Sequence, residues 1–153
     1  MSTDVTVEQR IARPREEVAA YACDWRNDPT WIRALDDVRL VSDGPFGVGS
    51  RVARVASFLG RKIEYVNEIV AWDEGKRLVM KSVKAPFPMT VIYEFEDAGD
   101  GNAVMRIHTG GDASGFYRVA GPMLNAAVKR GVKGDLAQLK ELLERRTATD
   151  RAA

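Results

Sequence analysis

The chain has 153 residues, 45% hydrophobic and 29% charged, a composition unlike that of a disordered or collagen-like polymer. At this length a fold buries about 68 to 70% of its unfolded surface and needs no disulfide or metal for stability. Lys and Arg total 23 against 22 Asp and Glu, so a net charge of +1 gives no general pull towards nucleic acid or acidic membranes. The single cysteine, Cys23, excludes an internal disulfide, and the single histidine, His108, excludes the multi-histidine sites of zinc and non-haem iron enzymes.

No apolar run approaches a membrane span, and residues 1–4 lack the basic start of a signal peptide, so a cytoplasmic protein without a membrane span is expected. Residues 5–11 alternate apolar and polar, as a half-buried strand does, and the pattern stops at Pro14. That proline suits the first turn of a helix reaching Ala22, with Glu16 and Glu17 near its positive end. After a break at Asp24, a second short helical piece carries Trp25, Trp31, Ile32 and Leu35, with Pro29 near its start. Six strand-like runs follow, at about 37–42, 49–57, 61–72, 76–84, 88–96 and 103–110, each bounded by Gly, Pro, Asp or Asn turn signals. Their short connections imply an antiparallel meander. A long helix over about 115–146 comes last, with Leu136, Leu139, Leu142 and Leu143 on one stripe. One domain over 1–146 and a polar, fraying tail over 147–153 are expected.

This order is α+β: a curved antiparallel sheet of about seven strands must bury its inner face against one long helix, which leaves a hollow between them. Its landmarks are residues 12–18 (Ala-Arg-Pro-Arg-Glu-Glu-Val), Asp24 followed by Trp31, the run Gly44-Pro45-Phe46-Gly47-Val48-Gly49, and a closing helix over 135–144. With these the chain resembles, over residues 3–146, the START-like or SRPBCC superfamily, in particular its polyketide cyclase/dehydrase branch with the helix-grip fold. The resemblance implies a cavity, and the superfamily includes binding proteins, cyclases and protein-interaction modules.

In a meander, successive loops fall on alternate ends of the sheet. One end collects Asp43, Asp73, Glu74, Asp97 and Asp100, and the other collects Phe58, Leu59, Phe87, Met89 and Phe116. An apolar, aromatic rim fits the mouth of a pocket or side chains folded inward as a plug. Strand phase turns Met89, Val91, Tyr93 and Phe95 inward, together with Ile63, Tyr65, Asn67 and Ile69. Met80 and Met105 share that inner face, and Trp31 of the second short helix is counted with them, although for any one of these residues plain core is the safer reading. Tyr65, Tyr93 and Asn67 would orient the polar end of a mostly apolar ligand or satisfy one another. In the long helix Gly131 and Gly134 form a weak point. Either the helix bends there, so that its first half with Met123, Leu124 and Ala127 admits ligand, or the glycines allow close packing.

The glycine-rich run over 44–49 lacks the Gly-Lys-Ser/Thr ending of a phosphate loop and leads into a strand, which argues against nucleotide binding. His108 points outward beside Arg106, so acid-base work would fall to Tyr65, Tyr93, an inward Arg54 or a buried carboxylate. Residues 115–153 carry eight basic against four acidic side chains, too dilute for nucleic-acid binding. The leading expectation is a protein that binds a small hydrophobic molecule, aromatic or polycyclic, lipid- or polyketide-like, with no cofactor or metal. A cyclase or dehydratase using Tyr65 and Tyr93 to position a carbonyl is the alternative. A third is a protein-interaction module using Phe58, Phe87 and Phe116, and a homodimer is left open.

Overall fold

The computed structural model describes the backbone of residues 3–152 and the side chains of residues 4–146. Strand β1 (Thr3–Ile11) leads through Pro14 into helix α1 (Arg15–Ala22). A 3-10 turn (Trp25–Asn27) and the short helix α2 (Asp28–Trp31) follow. The meander comprises β2 (Leu35–Leu40), β3 (Arg51–Phe58), β4 (Arg61–Asp73), β5 (Arg77–Lys84), β6 (Met89–Gly99) and β7 (Asn102–Gly111). A single turn of helix, α3 (Ser114–Tyr117), and the long helix α4 (Gly121–Ala152) complete the chain.

All neighbouring strands are antiparallel, in the order β1-β7-β6-β5-β4-β3-β2, so β1 closes onto the last strand of the meander. The expected strand phases hold: Ile63, Asn67, Ile69, Leu78, Met80, Tyr93, Phe95, Met105 and Ile107 are all buried. Strand β4 departs locally from simple alternation. Its register against β5 shifts between Ile69 and Ala71, leaving Val70 exposed. Such a bulge resets the alternation of the strand. Trp72 thereby packs against the core, where strict alternation from Ile69 would have turned it out.

Two expected boundaries are corrected. The second helical piece is a 3-10 turn, capped by Asp24 accepting the Arg26 N–H, and a single helical turn; Leu35 already belongs to β2. The long helix does not begin at 115. Arg118 takes a left-handed conformation (φ 56°) and ends α3, and α4 starts afresh with Pro122 in its first turn, where a missing N–H costs nothing. From there α4 is continuous to Ala152, so the backbone of the expected tail is helical to that point; its side chains and Ala153 lie outside the described residues.

Leu124, Val128, Val132, Leu136, Leu139 and Leu143 recur every three or four positions on α4 and face the sheet. Gly131 and Gly134 of α4 sit against side chains: a Cβ on Gly131 would lie 4.0 Å from the Phe58 ring, and one on Gly134 would collide with the Arg33 guanidinium. The C-terminal half of the helix is fastened to the start of the chain, where the Ala12 N–H donates to Glu144 at 2.8 Å and Lys140 salt-bridges the same carboxylate. This half covers the continuous apolar core, and the first half of α4 covers a pocket at the open end of the sheet.

Candidate functional site

Between the first half of α4 and the open end of the sheet lies a pocket of about 200 Å³. Ile63 and Phe58 form one wall, Met89 and the end of β7 another, and Leu124, Val128, Val132 and Asp135 of α4 the third. A rosette of four rings borders it. Phe58 meets Tyr117 edge-on at 5.5 Å, Phe87 contacts both Phe116 (5.3 Å) and Tyr117 (5.8 Å), and Phe116 stands perpendicular to Tyr117 at 4.9 Å. Arg61 fastens the rosette to the β3–β4 turn: its guanidinium lies 3.9 Å over the Phe116 ring and donates to the Phe116 carbonyl at 2.5 Å. The aromatic rim thus combines both expectations, a pocket wall whose rings also close on one another.

Antiparallel register shows what lies beneath. Going inward along the β3–β4 hairpin, the inward pairs are Ala56–Ile63, then Arg54–Tyr65, then Val52–Asn67. Each step of two residues is roughly 7 Å, so Arg54 and Tyr65 stand one rung below the Ile63 wall. Arg54 is only 6% exposed, and its Nη1 is 2.6 Å from Oδ2 of the equally buried Asp28, the first residue of α2. Trp31, one turn along α2, packs its ring 5.8 Å from that of Tyr93. Burial pushes the Asp28 carboxyl up to about 6, against the opposing pull of Arg54. Burial also opposes the charge on Arg54, but Asp28 and the two phenols outweigh it and hold the guanidinium protonated. Tyr65 and Tyr93 are both raised, by burial first and with Asp28 adding to it, so both remain neutral donors.

The cluster is incompletely satisfied from within. Among the described residues, Nε of Arg54, Nε1 of Trp31 and Oδ1 of Asn67 are buried without a hydrogen-bond partner. A polar atom buried in this way costs about 1–3 kcal/mol unless water or a ligand meets it. Two unused donors, one unused acceptor and two neutral phenols suit an oxygen function of a guest molecule. A second carboxyl stands in the pocket wall itself: Asp135 accepts the Arg33 N–H at 3.0 Å and is raised to about 6 by burial.

The candidate residues read from the sequence divide into four groups. Phe58, Phe87 and Met89 line the pocket, with Phe116 in the rosette behind them. Tyr65 faces Arg54 across the hairpin, Tyr93 lies near enough to act on its charge and Asn67 stands one rung further in, while Trp31 and Tyr93 share the packed core with Met80, Phe95 and Met105. Met123 is 67% exposed, and Ala127 is outside the pocket wall, because the stripe that faces it runs through Leu124, Val128 and Val132, one position on. Asp28, Tyr117 and Asp135 were not singled out from the sequence. The signal for Asp28 was indirect: an arginine phased inward on β3 requires a counter-charge. Tyr117 adjoins Phe116 in the rim, and Asp135 falls on the helical stripe through Leu124, Val128 and Gly131.

His108 lies on the outer face, bonded to Thr6 at 2.7 Å and 3.2 Å from Asp4. Among the described residues no three His, Cys, Asp or Glu side chains cluster as a metal site would, and no helix is long and apolar enough to cross a membrane.

A curled seven-stranded antiparallel sheet gripping a long C-terminal helix is the helix-grip fold of START-like proteins. Residues 2–144 match the model of the family described as polyketide cyclase / dehydrase and lipid transport, and the chain belongs to that family. Among solved structures it is similar to the Zhui aromatase/cyclase from Streptomyces sp. R1128 (TM-score 0.79, 16% identity, covering 96% of both chains). A START superfamily protein from Mycobacterium smegmatis gives TM-score 0.79 at 12% identity, covering 93% of this chain and 97% of that one. A protein from Thermus thermophilus gives TM-score 0.76 at 20% identity, covering 90% of this chain and 94% of that one. No curated protein matches the chain.

Proposed function

We propose that this protein binds a small, mostly apolar, ring-containing molecule between the sheet and α4, with an oxygen of the ligand held at the Arg54 cluster. The observation that carries the reading is the set of unpartnered buried polar atoms on Arg54, one rung beneath an apolar pocket, on Asn67 a rung further in, and on Trp31 beside Tyr93. Membership of a family described by cyclisation, dehydration and lipid transport supports it. The volume sets the size: an apolar cavity of about 150 Å³ accepts benzene, so about 200 Å³ suits one ring or two fused rings. A larger polycycle or a folded polyketide chain would need the Phe58, Phe87, Phe116 and Tyr117 rosette to part.

The test compares 2-naphthol with naphthalene, which differ by one hydroxyl, using calorimetry or ligand fluorescence. A hydrogen bond to a charged or buried group predicts roughly tenfold tighter binding of 2-naphthol, with that preference abolished by Asn67→Ala and Tyr65→Phe together. Equal affinities would remove the polar anchor, and no binding of either compound at millimolar concentration would remove the ligand site.

A second reading, catalysis of the cyclase or dehydratase type, is favoured by the Asp28 carboxyl poised at about 6 against Arg54 and two neutral phenols. Such groups could polarise a carbonyl and relay a proton. Tyr93→Phe separates the two readings: turnover of a poly-β-keto substrate lost while binding persists would establish chemistry at this site.

A further inference from the structure

At the opposite end of the sheet, α1 and the 3-10 turn face the β2–β3 loop and the β4–β5 turn across a groove of about 770 Å³. It shares no residue with the pocket beneath the aromatic rosette. Ala19 and Ala20 of α1 and Cys23, which caps its C-terminal end, line it on one side, and burial pushes the Cys23 thiol up to about 12, so that part of the lining is neutral and unreactive. Trp25 stands on one side, with Phe46 and Trp72 on the other, edge-on to each other at 5.3 Å. The β4 bulge builds this wall, since it turns Trp72 towards the core side of the sheet.

The charges around these rings are predominantly negative. Glu16, Asp24 and Glu74 line the groove, and among the described residues Arg26 is its one cationic lining residue. Arg26 is already engaged by Asp24 through two bonds of 2.9 and 2.8 Å. Glu16 pairs with Arg15 outside the groove, and Glu74 forms no ion pair among the described residues. Asp43 and Asp100 stand in the loops of the same end and Asp73 and Asp97 at its strand ends, with Lys76 in the β4–β5 turn. Aromatic faces attract cations through their quadrupoles, and more strongly when the site is partly shielded from water. Carboxylates at the rim would add attraction that salt screens.

We infer that this groove is a second ligand site, selective for an organic cation: a substituted ammonium carrying an apolar or aromatic body, seated between Trp25, Phe46 and Trp72 and faced by Glu74. An anion of the same shape is rejected by the carboxylates, and a small hydrated metal ion makes no use of the aromatic walls. The site is independent of the pocket under α4, so each can be occupied without the other.

Benzyltrimethylammonium is the probe and phenylmethanesulfonate its anionic counterpart, each titrated while tryptophan emission is followed. Two of the chain's three tryptophans, Trp25 and Trp72, line the groove and would report occupancy. The expected result is saturable binding of the ammonium below about 10 mM, weakening with added salt, and no binding of the sulfonate. Glu74→Gln, in an exposed turn where it does not threaten the fold, should weaken binding about threefold to fivefold, and Trp72→Phe by a similar factor. Glu64→Gln, on the exposed face of β4, should change nothing. Failure to saturate, insensitivity to both groove substitutions, or displacement of the ammonium by 2-naphthol would overturn the inference. Because 2-naphthol binding is read separately, the two sites stand or fall on different measurements.

Discussion

Arg54 and Asp28 are each almost wholly removed from water, at 6% and 2% exposure, and pair with each other at 2.6 Å. Desolvating two ions costs several kcal/mol each, and their mutual attraction roughly offsets this when the geometry is good. The pair therefore contributes little net stability, yet removal of one partner leaves a bare charge. Arg54→Met is expected to lower unfolding stability by about 3–5 kcal/mol, and the double change Arg54→Met with Asp28→Leu to restore at least half of the loss. Urea denaturation of the three proteins measures both quantities. A single-variant loss under about 0.5 kcal/mol, the range of surface changes, would mean that the pair is hydrated. A ligand oxygen accepting from the unused Nε of Arg54 would meet a group already held in place by Asp28, so little ordering would remain to be done on binding.

At the scale of elements, two glycines at the pocket distinguish close approach from flexibility. A Cβ on Gly111, where β7 ends, would collide with the Pro88 carbonyl oxygen, and backbone cannot swing aside as a side chain can. A Cβ on Gly131 would meet only the edge of Phe58 at an ordinary 4.0 Å. Gly111→Ala should therefore destabilise and loosen the pocket rim, while Gly131→Ala gains helix propensity and should stabilise by up to about 1 kcal/mol. Thermal melts give both signs. The uptake rate of 2-naphthol then tests the hinge: a bend at Gly131 that admits ligand requires slower uptake in Gly131→Ala, whereas an unchanged rate assigns the glycine to packing. The strands were legible from the sequence because alternation and turn residues reinforce each other over six consecutive runs. The interruption between α3 and α4 was not, because its left-handed residue is Arg118 and carries no glycine signature. Nor was the β4 bulge, since a one-residue insertion leaves composition unchanged while redirecting Trp72.

For the whole molecule, one inner surface serves as core under the C-terminal half of α4 and as pocket under its first half, and strand phase alone cannot tell these uses apart. That is why Met80, Phe95, Met105 and Tyr93 all belong to one packed core, and only Tyr93 of the four also feels the charges of Asp28 and Arg54. The division depends on where α4 begins and on Asp28, which comes from a turn outside the sheet. Its consequence for stability can be measured. Asp28 and Asp135, one in the interior and one in the pocket wall, both rise from 3.8 to about 6 through burial. A folded value above the unfolded one means that the folded state binds the proton more tightly, so each carboxyl withdraws stability as pH rises from about 4 through about 6. Asp24, held low by Arg26, acts in the opposite sense, as does Glu144, whose burial is outweighed by Lys140 and the Ala12 N–H; the contributions of these two are lost only at more acid pH. Stability should accordingly rise when pH is lowered from 7 to 5 and fall again below about 4, with the maximum on the acid side of neutrality. Asp135→Asn preserves an acceptor for the Arg33 N–H while removing the charge, so it should stabilise the protein at pH 7 and flatten the rise towards pH 5. Urea midpoints at pH 7, 5 and 3.5 for both proteins decide it, and a steady decline from pH 7 to 5 in the parent would show that these carboxyls are better hydrated than their burial implies.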